Sequence, residues 1–176
     1  MALAYKNLDP DTRRLMLEEV ELDVAHGTVY VSRRLTPSGT TQWAGLLRQA
    51  IRAGSDDTLA ASLAGLMNDV EEARSPRGGT TTRRVPVTAP ETLAEGEFNR
   101  YYARAVCRRA MELGVAHVVV YRAKAVARAR PESEMRVGSA VPTLRLLDDL
   151  RANIGVDTAL GIPAGPNSGL SVSLPT

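Results

Sequence analysis

Apolar and polar positions along this chain follow two rhythms, one near 3.6 residues and one of 2, separated by glycine- and proline-marked breaks. Asp9-Pro10 predicts the start of a first helix: the Asp carboxylate can accept backbone N–H groups, and Pro fits the first helical position. Leu15, Leu22 and neighbouring Val and Met residues supply its apolar side, and Gly27 after His26 predicts its end. Thr28 to Val31 (TVYV) reads as a short strand. A helix from near Ser38 to Ala53 is marked by Trp43, Leu46, Leu47, Ala50 and Ile51 at helical spacing. Gly54 stops it, and Ser55-Asp56-Asp57 caps a further helix in which Leu59, Leu63, Leu66, Met67 and Val70 keep the period. Together they predict a helical hairpin with a minimal turn.

From Glu71 to Pro90 the rhythm is lost, and SPRGGTTTRRVPVTAP combines glycines, prolines and threonines. Thr80 to Val87 suits an extended strand, but Pro86 cannot donate to a ladder and confines it to an edge or an arm. A long central helix follows. Thr88 and Glu91 have capping-box spacing, and Gly114 stands where a glycine closes a helix. On a helical wheel Phe98, Tyr101, Tyr102, Ala105 and Leu113 share one face, with Arg109 among them in need of a partner. Arg100, Arg104 and Arg108 form a straight stripe on the opposite side. Val115 to Ala127 reads as a strand, apolar on both sides at its start, so covered twice there; Arg122, Lys124 and Arg128 then share one side. Arg128 to Gly138 reads as a polar loop. Pro142 to Ile154 reads as a last helix through Leu144, Leu147 and Leu150, stopped by Gly155. In the nearly uncharged tail, Leu170, Val172 and Leu174 alternate like a strand that either joins another subunit's sheet or packs on its own domain.

These elements predict an α+β fold: a small sheet packed by the long central helix and a helical hairpin, with extended Pro/Gly-rich arms. The body spans 1–154 with an arm at about 74–87, and residues 155–176 form a C-terminal arm. The strand–helix–strand order around the central helix is compatible with a parallel pair joined by a right-handed crossover. A chain of 176 residues can bury an ordinary core without disulfides or metal. Cys107 is the only cysteine, which excludes an intrachain disulfide and a cysteine metal cluster and suits a reducing compartment. No apolar run approaches the roughly 20 residues needed to cross a bilayer, and the start shows no secretory pattern. Net charge is only +2, but its signs are segregated. Asp9–His26 carries six acidic residues against Arg13 and Arg14, and Arg122–Arg136 carries five basic residues against Glu132 and Glu134. That asymmetry fits a mixed solvated surface, a nucleic-acid surface or head-to-tail contact between copies.

Catalytic patterns are missing. There is no phosphate-binding loop ending in Gly-Lys-Ser/Thr, no Gly-x-Ser-x-Gly elbow and no His-Glu-x-x-His pair. His26 suits a helix end and His117 a core position. Cys107 lies among arginines that could depress its pKa, yet reads as a small buried residue. Glu18, Glu19, Glu21 and Asp23 run around one helix instead of converging as metal ligands do, and read as solvated or as an interface. The expectation is a non-enzymatic chain without cofactor or metal. A nucleic-acid alternative rests on Arg100, Arg104, Arg108, Arg122, Lys124 and Arg128, which would track phosphates.

The blocks EGEFNRYYARAVCRRA, VYRAK, RPESE and GVDTALGIPAGPNSGLSVSLP resemble a family of small structural proteins of tailed bacteriophages and prophages, over most of the chain from Asp9 onward. The resemblance implies a virion role, capsid-associated or at a head–tail or tail interface, assembled in the bacterial cytoplasm, and carries no active-site residues. Its implied partners are copies of the chain and other virion proteins, with nucleic acid as the alternative and no membrane. The candidate interface residues are Arg83, Arg84, Arg100, Arg104, Arg108, Glu132, Glu134, Leu170, Val172 and Leu174.

Overall fold

The structure is a computed structural model that describes residues 2–74, 78–126, 129–163 and 168–175. It is an α+β fold. Helices α1 (Pro10–His26), α2 (Pro37–Ala53) and α3 (Asp56–Leu63) come first, followed by a hairpin of β1 (Val70–Arg74) and β2 (Thr80–Arg84). The long helix α4 (Ala89–Glu112) leads to β3 (His117–Arg122), the short α5 (Pro131–Glu134), β4 (Ala140–Pro142), α6 (Thr143–Ala152) and β5 (Leu170–Ser173).

The helix boundaries follow local chemistry. Asp9 accepts from the Thr12 backbone N–H at 3.0 Å and caps α1, whose end is a left-handed Gly27. Thr36 caps α2 through the Gly39 N–H at 3.0 Å, and Ser55 with Thr58 forms a reciprocal capping box on α3. Thr88 precedes α4, but its side chain makes no capping bond. Trp43, Leu47, Ala50 and Ile51 are buried on one side of α2, as their spacing predicts. On α1 the buried side is Leu15, Met16 and Val20, while Leu22 is partly exposed.

Helix α4 is the axis of the molecule. It packs against α1, α3, α6, β3 and β5, so nearly its whole circumference is covered. Phe98, Tyr101, Tyr102 and Ala105 are buried as expected, whereas Leu113 in the last turn is exposed. Beside α4 lies a three-stranded antiparallel sheet in the order β4-β3-β5, with Val118 opposite Val141 and Val120 opposite Val172. The N-terminal residues strap this sheet: Ala4 N–H donates to Ala123 O at 2.8 Å, and Tyr121 Oη donates to Ala4 O at 2.9 Å.

Several expectations give way to tertiary context. Thr28–Val31 is not a strand; it is extended loop whose Tyr30 carbonyl accepts the Trp43 indole N–H at 2.7 Å. The helix begun at Ser55 ends at Leu63, and Val70 opens β1. Of the strand predicted over 115–127, residue 127 lies outside the described residues, and over 115–126 only His117–Arg122 is strand, with His117 exposed. The polar loop contains the one-turn helix α5, and Leu144 of α6 faces outward while Leu146, Leu147 and Leu150 are buried. No parallel pair flanks α4: β2 pairs with β1 in one antiparallel sheet, and β3 belongs to the other.

The C-terminal segment is part of the body. Leu170, Ser171, Val172 and Ser173 are buried, and β5 pairs antiparallel with β3. Of the two alternatives for this stretch, packing on its own domain is what the structure contains, so residue 155 is not a boundary between body and free arm. Asn99 of α4 fixes the strand by donating to Leu170 O at 2.8 Å and accepting from Ser171 Oγ at 2.6 Å.

Candidate functional site

Two of the three stripe arginines of α4, Arg100 and Arg104, face inward. Arg104 is fully buried, with its guanidinium donating to Glu19 Oε2 at 2.7 Å and to the two Asp23 oxygens at 2.6 and 3.0 Å. Asp23 also accepts from Tyr101 Oη at 2.8 Å and Thr28 Oγ1 at 3.2 Å. Glu19 accepts from Arg151 of α6 at 2.5 and 3.0 Å and from Arg108 at 3.4 Å. Arg108 reaches outward to Glu18 at 2.7 Å. The acidic residues of α1 therefore divide: Glu19 and Asp23 are buried partners of α4, while Glu18 and Glu21 sit in exposed pairs with Arg14 and Arg48. Part of the acidic Asp9–His26 segment thus finds its basic partners within the same chain. Burial works against ionisation of Glu19 and Asp23, but the surrounding guanidinium hydrogen bonds prevail and hold both carboxyls below their usual range.

Arg100 is 8% exposed and serves the C-terminal segment instead of a surface. It donates to Asn153 O at 2.6 Å, Val156 O at 3.0 Å and Leu150 O at 3.4 Å, holding the carbonyls that follow α6. Arg109 meets Asp9, and also Thr12 Oγ1 at 3.1 Å. Cys107 is buried, and burial pushes its thiol up to about 12 despite the neighbouring arginines.

Of the other interface candidates, Leu170 and Val172 are core and Leu174 packs against it. Glu134 pairs with Arg122 at 2.7 Å, and Glu132 is exposed. Arg83 and Arg84 are on the hairpin. Arg128 lies outside the described residues, as do 75–77 of the predicted central arm.

The hairpin is the most weakly supported regular element. Every residue of β2 is exposed, β1 alternates exposed and half-buried positions, and neither strand pairs with the main sheet. Two-stranded hairpins alone are marginal in water. Its foot is anchored: Val85 N–H donates to Asp69 O at 3.0 Å, and Arg34 clasps Glu71 at 2.6 and 3.1 Å. Beyond that foot Val70, Thr80–Arg84 and Val87 face solvent.

A second feature escapes sequence reading. Two of the four distinctive blocks, those beginning at Glu95 and at Gly155, line one cleft of about 180 Å³ between α4, the loop after α6 and the approach to β5. Glu97 lines it and is 5% exposed, with burial raising its carboxyl to about 7. Asn99 and Arg100 brace its wall, Lys124 pairs with Glu95 at its edge, and Arg122 donates to Ser168 O at 2.8 Å. No spacing rule marks Glu97, because its character comes from what α6 and the C-terminal segment lay over it.

Among the described residues no group of three His, Cys, Asp or Glu is placed to hold a metal ion, and no helix is long and apolar enough to cross a membrane. In comparisons with known proteins, no family model, curated protein or solved structure matches this chain.

Proposed function

We propose that the chain is a non-enzymatic assembly subunit, present in many copies in a tailed-phage particle, and that its β1–β2 hairpin is the arm that engages a neighbouring copy. The observation that carries this reading is the hairpin itself: an exposed two-stranded element that, among the described residues, is anchored only at its foot, while α1–α4, α6 and the three-stranded sheet share one core. Unpaired strand edges are templates for another chain's backbone. The hairpin carries Glu71 and Glu72 on one strand and Arg83 and Arg84 on the other, with Glu71 already paired to Arg34 and Arg83, so β1 of one copy meeting β2 of another brings the remaining opposite charges, Glu72 and Arg84, to the same seam. The resemblance to phage structural proteins supplies the setting. The nucleic-acid alternative loses the arginine stripe, since Arg100 and Arg104 are buried and engaged within the chain.

Light scattering on the purified chain tests this. Asp69 and Val85 are hydrogen-bonded neighbours, so residues 70–84 can be replaced by a short Gly-Ser turn without stretching the foot. The full chain is expected to self-associate and the hairpin-deleted chain to be a folded monomer. Equal association states for the two refute the arm.

A further inference from the structure

The backbone of the hairpin has a definite parity. Val85 N–H donates to Asp69 O at 3.0 Å, and Val70 stands opposite Arg84, so 69 and 85 form a hydrogen-bonded pair and the pairs alternate from there. Glu71, Ala73, Thr81 and Arg83 therefore turn their N–H and C=O groups into the hairpin. Val70, Glu72 and Arg74 of β1, and Thr80, Thr82 and Arg84 of β2, turn theirs outward. These six side chains share one face and are exposed, whereas Glu71 and Ala73 on the other face are half-buried. Among the described residues, no other segment supplies a hydrogen bond to the six outward backbone positions. The main sheet offers no comparable edge. Its β4 is three residues long and ends in Pro142, which has no N–H; on β5, Asn99 donates to Leu170 O and Asn7 accepts from Leu174 N–H. Just before β1, the outer side of the chain is also taken: Asn68 N–H donates to Arg34 O at 2.8 Å, and Thr36 N–H to Leu66 O at 2.9 Å. From Val70 onward both edges of the hairpin are free.

Charge decides which edges can meet. Glu71 is held by Arg34 and Arg83. On the outward face Glu72, Arg74 and Arg84 have no ion-pair partner among the described residues. Two β1 edges related by a two-fold axis at their centre set Glu72 against Glu72, and like charges directly opposite are destabilising. Two β2 edges bring only threonines and arginines together, without a carboxylate. Placing β2 of one copy against β1 of another sets Arg84 opposite Glu72 and, in the same register, Thr82 opposite Arg74. Both are pairs of outward-turned residues, so the backbone bonds and the charge pair form together. The geometry points to a directional seam, which rests on the hairpin being the arm: β2 of each copy adds to β1 of the next, so every copy uses two unlike edges. Such a contact is heterologous. It does not saturate at two copies and grows into a ring or an open ladder.

Sedimentation velocity and light scattering on full-length variants test the direction. Thr82→Pro removes an outward N–H of β2, and Glu72→Pro removes one of β1; neither N–H bonds within the hairpin, and proline is tolerated on an edge strand. Each variant is expected to be monomeric alone. Their equimolar mixture is expected to form a 1:1 dimer that grows no further, because one intact β2 edge and one intact β1 edge remain. The unmodified chain is expected to pass beyond two copies. Arg84→Glu weakens association about tenfold, and Glu72→Arg in the same chain restores it. A Glu72→Pro chain that associates like the unmodified one, an unmodified chain that stops at two copies, or a mixture that stays monomeric overturns the directional seam. A monomeric unmodified chain, or a hairpin deletion without effect on association, overturns the arm itself. Should a proline variant lose the far-UV spectrum of the unmodified chain, the charge exchange still decides: failure of Glu72→Arg to restore association contradicts the pairing.

Discussion

Replacing Arg104 by Met puts the charged core under direct test. Met is unbranched and fills a similar volume, so the main loss is the guanidinium. That group is fully buried and makes three contacts of 2.6–3.0 Å to Glu19 and Asp23. Breaking a buried pair by removing one partner costs about 3–5 kcal/mol, because the other charge stays behind. Glu19 keeps Arg151 and Arg108, but Asp23 is left with the hydroxyls of Tyr101 and Thr28. Asp23 therefore carries most of the penalty. For a chain of this size each kcal/mol lowers the melting midpoint by roughly 2–4 °C, so a drop on the order of 10 °C is expected by calorimetry. The pH dependence separates this from simple loss of packing. In the unmodified chain the folded-state carboxyls lie below their unfolded values of about 4; their stabilisation is present above that and is lost as pH falls through the lower folded values. In Arg104→Met, burial without the counter-charge raises the folded Asp23 value above the unfolded one. The variant therefore gains stability as pH falls toward about 4, and the gap between the two proteins narrows. Arg14→Met, at an exposed pair, is the control and leaves the midpoint unmoved. A gap that stays constant with pH, or an Arg104→Met midpoint equal to the control, refutes the reasoning.

Three further outcomes follow from the packing. A chain ending at Gly169 loses β5, with Leu170 and Val172 fully buried, and is expected to lose cooperative unfolding in circular dichroism; a free arm would leave the melt intact. Gly155→Ala places a Cβ 2.1 Å from the Tyr30 ring at a φ of +67°, and the left-handed backbone alone costs about 1–2 kcal/mol, read as a lower urea midpoint. Cys107 is buried with its thiol held up at about 12, so a thiol reagent is expected to react only as fast as the chain unfolds; rapid native-state labelling contradicts that.

The legible parts of this fold are those where a local signal and the tertiary environment agree. Trp43, Leu47, Ala50 and Ile51 mark α2 because one side of that helix meets the core and the other water. Asp9, Ser55, Gly27 and Gly114 mark helix ends because capping is a property of neighbouring residues. The wheel fails on α4, where a two-sided reading assumes one side is wet. With helices and sheet around it, Arg104 is buried as deeply as Phe98 and Arg100 nearly so, and the carboxylates that balance Arg104 lie far away in sequence. A signal did exist: Glu19 and Asp23 are four residues apart on α1, matching the four-residue step of the arginines, so two complementary stripes were present in one chain. Val70 kept a helical rhythm by coincidence and turned into a strand once Arg34 gave Glu71 a partner across the foot of the hairpin. Glu97 had no local signature at all, because what makes it unusual is desolvation by segments more than fifty residues away.

Hydrogen exchange at two concentrations separates the proposed arm from the body most directly. The hairpin has two strands and no core of its own, so its amides in the dilute chain open at little cost, whereas those of β3 and β5 exchange only through larger unfolding. On raising the concentration into the associating range, the account predicts protection gained at 70–74 and 80–84, with β3 and β5 unchanged. Protection that appears on α4 or the three-stranded sheet while the hairpin stays fast would contradict it.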